Sequence, residues 1–511
     1  MQDWTEGYVG DIAYTHGYYG ELNPLHAKLT FAASGYVFPT IEQACELGYG
    51  QGLSINIHAS SSIITWSGTD FNPSQAGFAQ ELAKASGNNA NLLDESFTKY
   101  CVRNDLPDFD YIGLHGIWSW ISNNNRKIIV DFISRKLKVG GVLFISYNTL
   151  PGWSSIIPIR NIMTEHAKMH NENGYSTVNR INEAIYFTEK LISTNPQFIK
   201  ANPALIGEIE KIKKLDRSYL AHEYFNKDWL PMPFSEIAEW LKPAKLQYVC
   251  SASYVDQLDI FNLTEEQQKF LSHINNPILY QTVRDFMTNS RFRKDYWIKG
   301  ARKLTPLENL EKLRKQKFVL IKNKHQISLK ISVPIGQITL NEKIYTSLIN
   351  YLSDYKTKSL VEIEEQLSKI NIPFPQILEA IMILIGIGVI GAAQDEESVA
   401  KVKSSTDKLN QIILDKSRSM QELSYLASPL LAGGIAVHRF NQLFILANKQ
   451  GKKLPHEWAK FAWEILSLQG QKIIRDGKTL ESQEENLKEL TSQATTFSQN
   501  ELPILKGLQV I

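Results

Sequence analysis

Between residues 44 and 57 the chain reads ACELGYGQGLSINI, a strand-like apolar lead-in followed by Gly48, Gly50 and Gly52 at every second position. Glycines spaced this way let backbone approach a ligand closely. Four functions are open to such a turn: a dinucleotide pocket, a phosphate cradle, a seat for the methionine end of S-adenosylmethionine, or a tight strand-to-helix bend with no ligand. A dinucleotide fingerprint needs a glycine at position 53, where this chain has Leu53. A phosphate loop needs Gly-Lys-Ser/Thr, and Gln51-Gly52-Leu53 supplies none of it.

The pattern Glu46-x-Gly48-x-Gly50-x-Gly52 is instead the E-x-G-x-G-x-G turn of S-adenosylmethionine enzymes, with Glu46 placed to offer negative potential to an ammonium and a sulfonium. A ligand-free bend keeps the same spacing, so companions along the chain matter. Asp70 closes the next strand-like run and can take both ribose hydroxyls, with Phe71 beside it to line an adenine. Asp70 also suits a helix cap for the Asn-Pro-Ser-Gln that follows. Asp94, Glu95 and Ser96 follow a third run and place a carboxylate at the adenine amino group. His115, Trp118 and Trp120 follow a fourth. His115 is a candidate base, though cofactor contact suits it better.

Methyl transfer from a sulfonium to an amine requires that amine neutral, so a protonated acceptor must first lose its proton. Desolvation favours that loss, and aromatic faces can orient the cation before it. Trp118, Tyr147 and Trp153, after the fourth and fifth runs, are the candidates for such a wall. The N/D-P-P-Y/F signature of amide and exocyclic-amine methylating enzymes is absent, which disfavours DNA adenine and glutamine acceptors. No residue stands out as a general base.

The elements that must position these groups read as an α/β domain. β-rich runs at 41–48, 61–70, 90–96, 108–116 and 140–148 alternate with stretches of helical periodicity. That alternation predicts a doubly wound, mostly parallel Rossmann-like sheet with ligands at its carboxyl ends. A helical insertion is expected over 154–215. A helix opened at Pro233 and Ser235, a strand from Leu246 to about 253 and then helices to about 305 should complete the core. Residues 306–395 read as a winged-helix-like module. Its third helix, PQILEAIMILI, lacks Lys and Arg, which favours protein packing over DNA. The tail, 396–511, is helical and polar apart from SPLLAGGIAVHRFNQLFILA. The expected units are thus 1–153, 154–215, 216–305, 306–395 and 396–511.

Composition agrees with a globular chain of two to four domains: 511 residues, 43% hydrophobic and 21% charged. The formal net charge is only +2, acidic over the first 150 residues and basic beyond, too small an imbalance for a dedicated nucleic-acid binder. Cys45, Cys101 and Cys250 are dispersed and form no C-x-x-C or Cys/His cluster, so neither a disulfide framework nor a metal site is expected. MQDWTEGYVGD lacks the basic and apolar regions of a signal peptide, and the longest apolar run, residues 380–393, is too short to span a bilayer. A cytoplasmic location is expected.

Taken together, YTHGYYGELNPLHAKLTFAASGY, ACELGYGQG, GTDFNPSQ and HGIWSWI resemble class I methyltransferases that carry a methyltransferase regulatory domain, and LAHEYF with PMPFSEIAEWL resembles that regulatory region. The chain is similar to the rickettsial protein lysine methyltransferases that modify outer membrane protein B. The resemblance implies S-adenosylmethionine as methyl donor, S-adenosylhomocysteine as product, lysine side chains of outer membrane protein B as acceptors, and a homodimer. By the same resemblance, Tyr14 and Tyr19, ahead of Leu22-Asn23-Pro24, should cover the cofactor.

Overall fold

The computed structural model describes residues 5, 7–10, 12, 14–169 and 175–511. At its centre is a seven-stranded sheet: β1 (Gln43–Leu47), β2 (Thr65–Thr69), β3 (Asn91–Leu93), β4 (Phe109–Leu114), β5 (Leu137–Asn148), β6 (Leu246–Ser251) and β7 (Phe292–Lys299). The strand order is β3-β2-β1-β4-β5-β7-β6. The first five strands pair in parallel, whereas β7 runs antiparallel to both β5 and β6. β1, β2 and β4 are nearly continuous buried runs, as expected where helices cover both faces. The order reverses between β1 and β4, and such a switch point opens a crevice at the strands' carboxyl ends.

Local chemistry sets the helices that frame this crevice. Pro73 stands at the start of helix Pro73–Ser86, where its missing N–H costs nothing, and the Asn72 side chain accepts from Ser74 N; the helix closes at Gly87 in the left-handed region. The helix Asn123–Lys136 is capped in the same way by Ser122. Helices Ile157–Met169, Thr177–Ser193, Gln197–Ala201 and Leu205–Lys214 then share an apolar core with the helix Arg217–Tyr224.

The region between 254 and 305, expected to be helical, contains β7. Its sequence, FRKDYWIK, mixes charge and apolar groups because both faces are covered and the charges are paired inside. Arg293 and Asp295 bind one another on one face, while Lys294 reaches Glu21 on the other. Charged residues inside a strand hide the period-2 apolar signal.

Beyond the sheet, helices Glu342–Tyr351, Leu360–Ser368 and Phe374–Gly386 pack on a three-stranded sheet of Lys317–Leu320, Lys358–Ser359 and Ile390–Ala393. The apolar third helix buries Ile377, Ala380, Ile381 and Ile383 in that core. Among the described residues no helix is long and apolar enough to cross a membrane.

The C-terminal helix Glu396–Lys416 lies directly on helices Leu53–Ser61 and Pro73–Ser86, and Leu53, Ile57 and Leu82 belong to its apolar core. The hydroxyls of Ser405 and Thr406 donate to the Ser60 carbonyl at 2.7 and 2.8 Å.

Candidate functional site

The turn after β1 adopts left-handed backbone at Gly48, Gly50 and Gly52, with φ of +73°, +59° and +70°. At Gly52 a side chain would also collide with Ala79, so this glycine sets how closely the following helix lies on helix Pro73–Ser86. At Gly50 there is room for a Cβ, and backbone conformation alone demands glycine. Gly50 N donates to Asp70 Oδ2 at 2.9 Å, and Asn72 N donates to Asp70 Oδ1 at 3.0 Å. Asp70 therefore braces the turn from the end of β2. Burial pushes its carboxyl up to about 6 against the opposing pull of these two N–H groups.

Glu46, at the end of β1, is 2% exposed, and its Oε2 has no hydrogen-bond partner. Burial and the neighbouring Asp70 push its carboxyl up to about 8. A buried acceptor without a donor is costly unless something arrives to meet it. Both carboxylates line one pocket with the three glycines, Phe71, Glu95, Ser96 and His115.

A strap formed by residues 14–22 closes this pocket. Tyr19 stacks on His115 with ring centroids 3.7 Å apart, and Tyr19 N donates to Ser54 Oγ at 2.7 Å. His115 is held as a neutral imidazole because burial lowers its pKa to about 4; its Nδ1 lies 3.3 Å from Ser146 Oγ. Tyr14 meets His222 edge-on at 5.0 Å, and Gln51 Nε2 donates to the Tyr14 carbonyl.

The strap is itself gripped from the C-terminal region. Tyr18 lies against Tyr425 and His58, with centroid distances of 5.3 Å to each. The hairpin Tyr425–Ser428 and Gly433–Ala436 has glycine where Tyr18 crosses it: a side chain at Gly433 would collide with the Tyr18 hydroxyl. Asn23 Nδ2 donates to the Leu431 carbonyl at 3.0 Å.

The structure brings together Tyr14, Tyr19, Glu46, Gly48, Gly50, Gly52, Asp70, Phe71, Glu95, Ser96 and His115 as pocket lining. Asp94 is not among the lining residues; its successors Glu95 and Ser96 are. The proposed aromatic wall of Trp118, Tyr147 and Trp153 does not face the pocket. Trp118 is fully buried beneath the sheet, edge-on to Trp240. Tyr147 is fully buried and donates to Asp295 Oδ2 at 2.7 Å. Trp153 donates to the Arg291 carbonyl and packs on Tyr224 and Trp229. For Tyr147 the reason is strand parity: its neighbour Ser146 points to His115, so Tyr147 must point to the other face. The Phe, Tyr and Trp side chains at the pocket are Tyr8, Tyr14, Tyr19, Tyr49, Phe71, Phe97 and Trp120. Sequence reasoning also missed Asn226 and Asp228, which line the pocket from just beyond LAHEYF. Asn226 Oδ1 accepts from Val9 N at 3.0 Å, tying that segment to the N-terminus. Among the described residues no group of three or more His, Cys, Asp or Glu side chains is placed to hold a metal ion, and all three cysteines are buried and free.

The strand order, the glycine turn after β1 and the acid at the end of β2 define the class I methyltransferase fold. The fold matches the solved structure of PKMT2 from Rickettsia typhi in complex with AdoHcy, with a TM-score of 0.70, 18% identity and coverage of 97% of this chain and 99% of that one. A second structure of PKMT2 from Rickettsia typhi gives a TM-score of 0.66 at 19% identity. Residues 216–299 match the model described as "Predicted methyltransferase regulatory domain".

The chain belongs to the same family as the uncharacterized protein sll1526 of Synechocystis sp., with which it is 38% identical over 99% of both chains. It is also 26% identical to the uncharacterized protein RP789 of Rickettsia prowazekii, over 55% of this chain and 51% of that protein.

Proposed function

We propose that this protein binds S-adenosylmethionine in the pocket at the carboxyl ends of β1, β2 and β4, and methylates lysine side chains of a large protein. The observation that carries the reading is Glu46 Oε2, a buried acceptor without a donor beside a left-handed glycine turn. It is the partner that the ammonium of a bound methionine moiety requires. The turn Gly48–Gly52 would approach that moiety, and Asp70, braced but retaining lone pairs, would accept the ribose hydroxyls. Glu95, Ser96 and Phe71 would border the base, with Tyr14, Tyr19 and His115 over it. When bound, S-adenosylmethionine supplies a sulfonium methyl and becomes S-adenosylhomocysteine.

The chain's own task is to align, dry and deprotonate the acceptor amine. The tyrosines of the strap and Trp120 exclude water, which weakens the ammonium and favours the neutral amine. Glu223, in the LAHEYF segment, has its carboxyl pushed up to about 7 by burial and bears electrostatically on Tyr8, Tyr14 and Tyr19. His115, kept neutral, then serves as a stacking surface for Tyr19. The resemblance to rickettsial lysine methyltransferases supports lysine as the acceptor, with outer membrane protein B as the type of substrate.

Incubation with methyl-labelled S-adenosylmethionine and protein acceptors tests the reading. Label recovered as methyl-lysine is expected; label found only in small molecules or nucleic acid rules it out.

A further inference from the structure

A second cleft, of about 350 Å³, opens on the far edge of the sheet between β6, β7 and the helix Pro277–Thr288. All its lining residues except Ser34 and Pro334 belong to the segment matched by the regulatory-domain model, and it shares none with the glycine-turn pocket. Its size falls in the lower range of small-molecule sites.

The floor of this cleft is a buried charge network. Arg293 Nη1 donates to Asp285 Oδ1 at 2.6 Å, and Arg293 Nε donates to Asp295 Oδ2 at 2.9 Å. Arg293 Nη2 serves Asp295 Oδ1, Gln281 and Tyr248 at 3.0 to 3.3 Å. Asp285 and Asp295 are each 1% exposed. One guanidinium thus sits between two fully buried carboxylates and leaves a negative charge uncompensated. Burying charge without a matching partner is expensive. The neighbouring Arg284 does not supply the balance, because Asp259 Oδ1 accepts from its Nε at 2.8 Å and the Asp256 carbonyl accepts from its Nη2 at 2.5 Å. The Tyr280 hydroxyl donates to the remaining Asp259 oxygen at 2.7 Å.

One acceptor is left over. Asp285 Oδ2, in a side chain that lines the cleft, has no hydrogen-bond partner. Asp256 adds an exposed carboxylate at the rim, so the lining carries four aspartates against two arginines. An anion finds little here, since the nitrogens of Arg293 are all engaged and the balance is negative. A ligand that brings both positive charge and an N–H donor answers both deficits at once.

We propose that this cleft binds a small organic cation with N–H donors, an amine or a guanidine, whose nitrogen pairs with Asp285 Oδ2. The site is joined to the glycine-turn pocket through β7. Phe292 lines the cleft and lies edge-on to His115 at 6.3 Å, and Asp295 accepts from Tyr147 on β5. The proposal does not depend on the methyl-transfer reading.

Calorimetric titration of the full chain with 1,4-diaminobutane and with methylguanidinium tests it. Saturable binding of at least one probe is expected, weakened about tenfold in Asp285→Asn, while S-adenosylmethionine titrates both proteins alike. Failure of both probes to saturate the wild-type chain, or undiminished binding by Asp285→Asn, overturns the proposal. If that variant does not fold, Asp256→Ala at the exposed rim should still weaken binding by about threefold. Hydrogen exchange on the wild-type chain supplies the location: a saturating probe should protect residues 277–299, and protection confined to residues 46–53 would refute the assignment.

Discussion

The glycine-turn pocket and the cleft beside β7 each keep one buried carboxylate oxygen without a donor, Glu46 Oε2 in the first and Asp285 Oδ2 in the second. Their electrostatic settings differ. Glu46 has no cation near it, and burial with Asp70 pushes it up to about 8, so at neutral pH it holds a proton until a cation displaces it. Asp285 faces a guanidinium that opposes its desolvation, and its carboxyl rises only to about 6, so it is ionised at neutral pH. The same orphaned atom is thus a proton-gated acceptor in one place and a standing negative charge in the other. What separates them is the partner that each site's neighbours provide.

The strongest test of this separation is Trp118, which lines neither region and lies in an apolar core edge-on to Trp240. Trp118→Ala should destabilise the protein by about 3–5 kcal/mol in denaturant unfolding, as for other buried aromatics. Lost turnover at unchanged stability would return Trp118 to the substrate wall and dissolve the boundary.

Glu46→Gln should lower S-adenosylmethionine affinity by about 2–3 kcal/mol in calorimetry through loss of a charge-assisted hydrogen bond. It should also raise stability at neutral pH by roughly 1–3 kcal/mol. The sign follows from linkage. A carboxyl raised in the folded state binds more protons folded than unfolded, so stability falls as pH climbs from about 4.5 towards 8. Glutamine removes that slope. An unaltered slope would mean that Glu46 meets a partner after all.

Asp70→Ala should weaken the same binding by about 1–3 kcal/mol. In the wild-type chain, affinity should fall as pH drops through about 6 and Asp70 takes up a proton. Cation binding in the β7 cleft should be indifferent to Asp70→Ala, and a matching loss there would show the two regions to be one. The smallest effect expected is from Gly433→Ala, which pushes on Tyr18 and through it on the strap. A loss of about 1 kcal/mol in cofactor affinity, with the cleft unaffected, is the expected outcome; no change would detach the C-terminal hairpin from the pocket.

Much of the pocket was legible in the chain. Glycines at alternate positions after a buried strand, and acids at the ends of β1 and β2, are local signals, because backbone conformation and strand termini depend on neighbouring residues. The strand β7 was not legible: its charges are satisfied by Glu21, Asp285 and one another, partners that lie far off or lack any periodic mark. Asn226 and Asp228 reach the pocket from more than a hundred residues beyond the strands they face, and nothing near them in sequence announces it.

Sequence by itself determined the order of the first five strands and the helices between them, the left-handed turn and the acids available to it, since these follow from residue type and short-range spacing. Only the tertiary structure decided which of those acids is braced and which is orphaned. It also decided that Tyr147 turns away from His115 while Ser146 turns toward it. Orientation across a sheet is set by register with β7, and register is a property of packed neighbours rather than of any one stretch of chain.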